Sequence, residues 1–218
     1  MTTYRLVIGN KNTSSWSLRP WLAMTHARLA FSEVTIDLRA ADVKAQILAR
    51  SPSGKVPALL VGDDVVWDSL AIIEFLAEAH PEAGLWPGSR DARANARCVS
   101  AEMHSGFQPL RRHCPMDFLA RSPQAELAEE VAADVRRIVA LWRGCRSRFG
   151  AGGPFLFGSF SAADAMYAPV ASRFRTYLPD LAAYGDAGTA QAYVEALFTL
   201  PAMMQWQADA RAEIAAAS

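Results

Sequence analysis

Ser53-Gly54-Lys55-Val56-Pro57-Ala58-Leu59-Leu60-Val61-Gly62-Asp63-Asp64-Val65-Val66-Trp67-Asp68-Ser69 carries three local signals in succession. Two apolar, β-prone runs, 57–61 and 65–67, are joined by Gly62-Asp63-Asp64, which reads as a hairpin with an Asp-rich turn. Asp68-Ser69 then opens a helix carrying Leu70, Ile73, Phe75 and Leu76. Upstream, the breakers Ser51-Pro52-Ser53-Gly54 end a short helix over 43–49. Before it, 31–38 alternates as a strand through Phe31, Val34 and Ile36. A helix beginning at Ser14 places Leu18, Trp21, Leu22 and Leu29 near helical spacing. The buried run 5–9 is a first strand, ended by Asn10-Lys11-Asn12-Thr13. The order is β-α-β-α-β-β-α, an α/β unit.

Downstream the grain changes. Pro81, Gly84, Pro87 and Gly88 make 81–90 a linker. Beyond it nothing reads as a strand. Ala-, Arg-, Leu- and Glu-rich stretches predict helices over 91–120, 123–149, 161–177, 188–198 and 201–217. Two units are expected, 1–80 and an all-helical 91–218.

Composition excludes several function classes. The 218 residues hold 22 Lys plus Arg against 22 Asp plus Glu, and 51% are hydrophobic. The zero formal charge lacks the basic excess of a nucleic-acid protein and gives no electrostatic case for an anionic membrane surface. Cys98, Cys114 and Cys145 are odd in number and without a C-x-x-C pair, so neither a closed disulfide framework nor a zinc site is expected. With no apolar leader behind Met1-Thr2-Thr3-Tyr4-Arg5 and no spanning apolar window, a cytoplasmic protein is expected.

Two constellations carry chemistry. Asn12-Thr13-Ser14-Ser15-Trp16-Ser17 follows the first strand and opens the first helix. Ser and Thr are favoured N-caps, and capping alone is one reading. The other is an anion or thiolate held by free N–H groups and a hydroxyl donor. A helix terminus contributes about 0.3–1 kcal/mol and a hydrogen bond to a charged group about 1.5–3 kcal/mol. Their sum, about 2–4 kcal/mol, lowers a thiol by roughly 1.5–3 pKa units, from about 8.5 to near or below neutral. The serine stays protonated as donor, and no adjacent His or Lys makes it a nucleophile.

The second constellation is Val56-Pro57 with Asp68-Ser69. Proline at a strand start is ordinary and trans by default. A cis bond would instead turn the Val56 N–H and C=O toward the crevice, where an extended peptide pairs as an added strand. Asp68 and Ser69 are again cap residues. They also suit a ligand with a free α-amine and α-carboxylate, Asp68 taking the ammonium and the Ser69 hydroxyl and N–H the carboxylate.

In this order and spacing, these segments resemble the glutathione transferases over essentially the whole chain. The resemblance implies a thioredoxin-like N-terminal domain with a mixed sheet and a cis Pro57, an all-α C-terminal domain, and a homodimer. It implies glutathione as co-substrate, a small electrophile as second substrate, and no metal, nucleic-acid or membrane partner. Ser14 is the implied thiolate donor, with Ser15 the alternative. Val56 and Pro57 would meet the cysteinyl backbone, Asp68 and Ser69 the γ-glutamyl end, and Lys44 the glycine carboxylate. Ser14-Ser15-x-Ser17-x-Arg19 and Gly106-Phe107-Gln108-Pro109-Leu110 are similar to the zeta class, known for maleylacetoacetate isomerisation. That likeness places Gln108 on glutathione and Trp16, Phe107, Arg112 and His113 around the electrophile. The zeta pattern has Cys at the position of Trp16 and usually Gln at that of Asp68. Three functions follow as expectations: a transferase for detoxification, a glutathione-dependent cis–trans isomerase, or a glutathione-binding protein without turnover.

Ser161-Ala162-Ala163-Asp164 reads as a structural capping box, for which Asp164→Ala should cost about 1–2 kcal/mol. His26, His80 and His104 show no metal-ligand spacing and read as surface or packing residues.

Overall fold

In the computed structural model, which describes residues 3–217, the first strand β1 (Tyr4–Gly9) lies inside the sheet. Met1, Thr2 and Ser218, at the ends of the expected 1–80 and 91–218 units, lie outside the described residues. Successive strand side chains point to opposite faces, and each face of β1 meets a different layer. Leu6 and Ile8 join Leu59 in the main core beneath α1 (Ser15–His26) and α3 (Ser69–Ala79). Val7 turns the other way, to Ile36, Ala58 and Ile47 of α2 (Val43–Leu48). β2 (Phe31–Ile36) pairs parallel with β1, in register Val7 to Val34. β3 (Ala58–Val61) pairs antiparallel on the other side, and β4 (Asp64–Trp67) antiparallel to β3. The mixed sheet has order β2-β1-β3-β4, a thioredoxin-like N-terminal layer. Asp64 belongs to β4, leaving Gly62-Asp63 as the turn, with Gly62 at a φ of 60° that glycine adopts without strain.

The helices of the C-terminal part are α4 (Arg90–Ser105), α5 (Gln108–His113), α6 (Glu129–Phe149), α7 (Ala162–Tyr177), α8 (Thr189–Phe198) and α9 (Pro201–Ala216). The expected helix over 91–120 is therefore broken. The Gly106 N–H closes onto the Glu102 carbonyl, and a Cβ at 106 would meet that oxygen at 2.8 Å. Phe107 turns left-handed at φ 55°, and Pro109, which has no N–H to give, enters the first turn of α5. Residues 114–128 then run without a helix, contrary to the expected start of the next one at 123. Their backbone is tied to the N-terminal part through Phe118 N–H to Asn12 O (3.0 Å) and to α7 through Ser122 N–H to Thr176 O (2.9 Å).

Nearly every residue of α7 is buried, Asp164, Ser172 and Arg173 among them, where the helix packs against α1, α4 and α8. Ser161 and Asp164 form the capping box at its start. The carboxylate goes beyond that role: it also accepts from the Leu156 N–H (3.0 Å), the Ser161 hydroxyl (2.8 Å) and the Tyr193 hydroxyl (2.9 Å). The 81–90 segment is docked rather than loose, with Leu85 and Trp86 buried and the Leu85 carbonyl bound by Ala162 N–H at 2.7 Å. No helix among the described residues is long and apolar enough to cross a membrane.

Candidate functional site

Two helix starts and one strand start converge on a cavity of about 530 Å³. Val56 and Pro57 line it just before β3, joined by a cis peptide bond. Asp68 and Ser69 line it at the start of α3, and Trp16 at the start of α1. Ser53, Lys55 and Trp67 complete the N-terminal wall, while His104 of α4 reaches in from the helical part.

Asp68 is held from both sides. Its Oδ1 accepts the Leu70 N–H (2.9 Å) and Ala71 N–H (3.3 Å), capping α3, and its Oδ2 faces His104 Nε2 at 3.1 Å. The residue sits at φ 77°, a conformation that costs a side-chain-bearing residue about 1–3 kcal/mol and persists only when its surroundings hold it. Ser69 is 1% exposed and its hydroxyl has no hydrogen-bond partner among the described residues. A carboxylate with an unused oxygen lone pair thus adjoins an unused hydroxyl.

At α1, Ser14 is the N-cap residue, yet its side chain does not cap. Its hydroxyl meets the Ser17 hydroxyl at 2.7 Å, and Ser17 accepts the Gly9 N–H at 3.0 Å. The Trp16 and Ser17 N–H groups, second and third in the helix, consequently have no acceptor among the described residues. Ser15 is likewise buried. Both serines are buried beside the cavity rather than in its lining, which begins at Trp16.

Two cations lie against the Trp16 ring. The Arg19 guanidinium is 3.9 Å from the ring centroid and that of Arg111 is 5.1 Å away, while the His104 ring meets Trp16 edge-on at 5.3 Å. Arg19 is fully buried and its Nε, Nη1 and Nη2 have no hydrogen-bond partner among the described residues. Burial, with Arg173 and Arg111 nearby, holds it well below the usual arginine range, and Asp68 only partly opposes them. Burial, with Arg111 beside it, likewise pushes Arg173 down to about 10. Three guanidinium groups therefore share one region, and among the described residues none has a carboxylate within ion-pair distance.

Other expected site residues lie elsewhere. His113 pairs with Glu130 at 3.2 Å, and Arg112 is exposed beside it. Arg111, one position earlier, is the arginine that faces Trp16. Gln108 is exposed at the start of α5, Phe107 is buried in the main core, and Lys44 lies against Gly54, all outside the cavity lining. Ser53, Lys55, Trp67 and His104 are lining residues that the sequence reading did not single out. For His104 the signal would have been long-range, since 88 positions separate it from Trp16 (104 − 16). No group of three or more His, Cys, Asp or Glu side chains among the described residues is arranged for a metal ion.

Family models described as "Glutathione S-transferase, N-terminal domain" and "Glutathione S-transferase, C-terminal domain" match residues 13–79 and 125–212. A probable maleylacetoacetate isomerase of Caenorhabditis elegans is 37% identical over 100 residues, 46% of each chain. The maleylacetoacetate isomerase of Rhizobium meliloti is 35% identical over 109 residues, 50% of each chain. A zeta-class glutathione S-transferase of Euphorbia esula is 31% identical over 107 residues, 49% of this chain and 48% of the other. The chain spans about half the length of the curated relatives it matches. Among solved structures, a glutathione transferase homolog from a Burkholderia strain, with bound glutathione, superposes with TM-score 0.71 at 22% identity, covering 96% of this chain and 98% of that one. The Omega 2S glutathione transferase of Trametes versicolor also gives 0.71, at 20% identity, covering 100% and 98%. At such identities the likeness is one of fold.

Proposed function

From the premise that this chain belongs to the glutathione S-transferase family, we propose that it is an enzyme that binds glutathione in the cavity between Val56, Asp68 and Trp16 and presents the thiolate to a small electrophile. The observation that carries this reading is the set of unused donors and acceptors at one cavity: the second lone pair of Asp68 Oδ2, whose other partner is His104, the Ser69 hydroxyl, and the N–H groups of Trp16 and, behind it, Ser17. The γ-glutamyl ammonium goes to Asp68 and its carboxylate to Ser69. The cysteinyl backbone pairs with Val56, which brings the sulfur to the start of α1. The same reading carries a homodimer and a cytoplasmic location with it.

Ser14 is the proposed hydroxyl donor, with Ser15 as alternative. When Ser17 donates to Ser14, the chain runs from Gly9 N–H to Ser17, from Ser17 to Ser14, and from Ser14 to sulfur. Each bond polarises the next. The thiolate absorbance of bound glutathione, titrated across pH, tests this. Ser14→Ala should raise the bound thiol by one to two pKa units, about 1.4–2.7 kcal/mol. A Ser14→Ala curve superimposed on wild type, with Ser15→Ala shifted, moves the role to Ser15. Neither shifted, with glutathione still bound, leaves only a binding protein.

The cations around Trp16 favour a second reading, a glutathione-dependent cis–trans isomerase of a dicarboxylate, the chemistry named for the curated relatives. The acid would be drawn to the cavity by the positive charge of Arg19 and Arg111 behind Trp16, rather than held by Arg112. Conversion of a cis diacid that stops when glutathione is withheld would support it.

A further inference from the structure

His104 is the one lining residue supplied by the helical part of the chain, and it touches two walls of the cavity at once. Nε2 is 3.1 Å from Asp68 Oδ2, and the ring edge packs on Trp16 with centroids 5.3 Å apart. Its backbone is fixed as well: the Arg111 guanidinium donates to the His104 carbonyl at 3.3 Å while facing Trp16 from the other element. Nδ1 is buried and has no partner among the described residues. An Nε2–H donated to Asp68 leaves Nδ1 as a bare lone pair, whereas a proton on Nδ1 would be a buried donor without an acceptor, the costlier arrangement.

On the proposed glutathione reading, we infer that His104 is a positioning residue: it fixes the plane of the Asp68 carboxylate for the γ-glutamyl ammonium. Oδ1 is already pinned by the Leu70 and Ala71 N–H groups. The bond from Nε2 to Oδ2 removes the remaining rotation. An oxygen has two lone pairs, so Oδ2 accepts from His104 and from the ammonium together. The His104–Asp68 contact also joins α4 to the start of α3, so the carboxylate is set by both parts of the chain.

Calorimetric titration with glutathione, and with the analogue lacking the γ-glutamyl amine, tests the assignment in four proteins: wild type, His104→Ala, His104→Gln and His104→Phe. Gln retains a donor near the Nε2 position, and Phe retains the ring but no donor. Glutathione should bind about fivefold more weakly to the Ala and Phe variants and within twofold of wild type to the Gln variant. The amine-free analogue should bind all four alike. In a cycle with Asp68→Asn, the double variant with His104→Ala should bind no more weakly than Asp68→Asn alone. Equal or tighter glutathione binding by His104→Ala overturns the inference, as does a loss that Gln fails to restore or that the analogue shares. Wild type giving no heat with glutathione overturns the functional reading and this inference together. Wild type binding while His104→Ala binds equally well overturns this inference alone.

Discussion

Arg19 sets a residue-scale conflict between stability and use. A fully buried guanidinium with three unpartnered nitrogens, beside two further arginines, is expensive to keep. Replacing a buried charge by an apolar side chain of similar length is commonly neutral or stabilising by about 1–4 kcal/mol. Arg19→Met should therefore stabilise the fold by about 1–3 kcal/mol, read as a higher urea midpoint at an unchanged slope, while lowering turnover of an anionic electrophile. A fall in stability would mean that Arg19 is a packing residue stacked on Trp16 and nothing more. The sequence showed Arg19 as part of a motif, because motif positions are local. It did not show that Trp16 and Asp68, the two departures from the zeta pattern, both touch His104, because that contact exists only once α4 lies across the opening of the cavity. That Arg111 rather than Arg112 faces Trp16 was hidden for a related reason. Adjacent helix positions lie about 100° apart, and the facing direction of a six-residue helix after an irregular turn is not readable from its spacing.

Among the elements, the β-α-β-α-β-β-α order was legible because each strand is short, apolar and bounded by Gly, Pro, Asn or Asp. The break between α4 and α5 was not, since Ala, Glu, Met and Leu on either side outweigh a lone Gly106 in any helical window. The capping box at α7 was legible as a pattern, but its weight was not, because Leu156 and Tyr193 arrive from other segments. Removing the carboxylate orphans several buried donors, each hydrogen bond to a charged group being worth about 1.5–3 kcal/mol. Asp164→Ala should accordingly destabilise by about 3 kcal/mol or more, above the 1–2 kcal/mol expected of a cap alone. Burial pushes the Asp164 carboxyl up to about 6, outweighing the donors that pull it down. The folded state then holds a proton that the unfolded chain, with a value of about 3.9, has released. This contribution is complete below about pH 4, declines as pH rises, and is gone above about pH 6. Denaturation of wild type and Asp164→Ala at pH 4.5 and 7 should show their gap narrowing by about 2 kcal/mol at the higher pH. A gap independent of pH would mean that the carboxylate is charged throughout.

At the scale of the whole molecule, the two parts must be held in one relation for the cavity to exist, since His104 comes from one and Val56, Asp68 and Trp16 from the other. Much of that task falls on Lys11, in the loop after β1. It is 4% exposed, and its Nζ binds Glu33 of β2 at 2.8 Å and also Asp209 of α9. The ammonium lies 4.8 Å from the Trp21 ring and 5.3 Å from that of Trp206, its amide N–H binds Glu213 at 2.8 Å, and its carbonyl accepts the Trp206 indole N–H at 2.9 Å. Only the side-chain contacts are lost in Lys11→Met, which keeps the apolar stem between the two indoles but leaves Glu33 and Asp209 facing each other without a cation. Breaking a buried pair from one side costs about 3–5 kcal/mol, and the partial exposure of both carboxylates puts this case near 2–3 kcal/mol. For a chain of this size that corresponds to a fall in Tm of roughly 5–10 °C. Glu33→Gln with Asp209→Asn in the same background should restore about half of it, because the repulsion is then gone. If Lys11→Met melts with wild type, the clasp does not hold the two parts together, and the packing of α1 against α7 and α9, and of α3 against α4, carries that task.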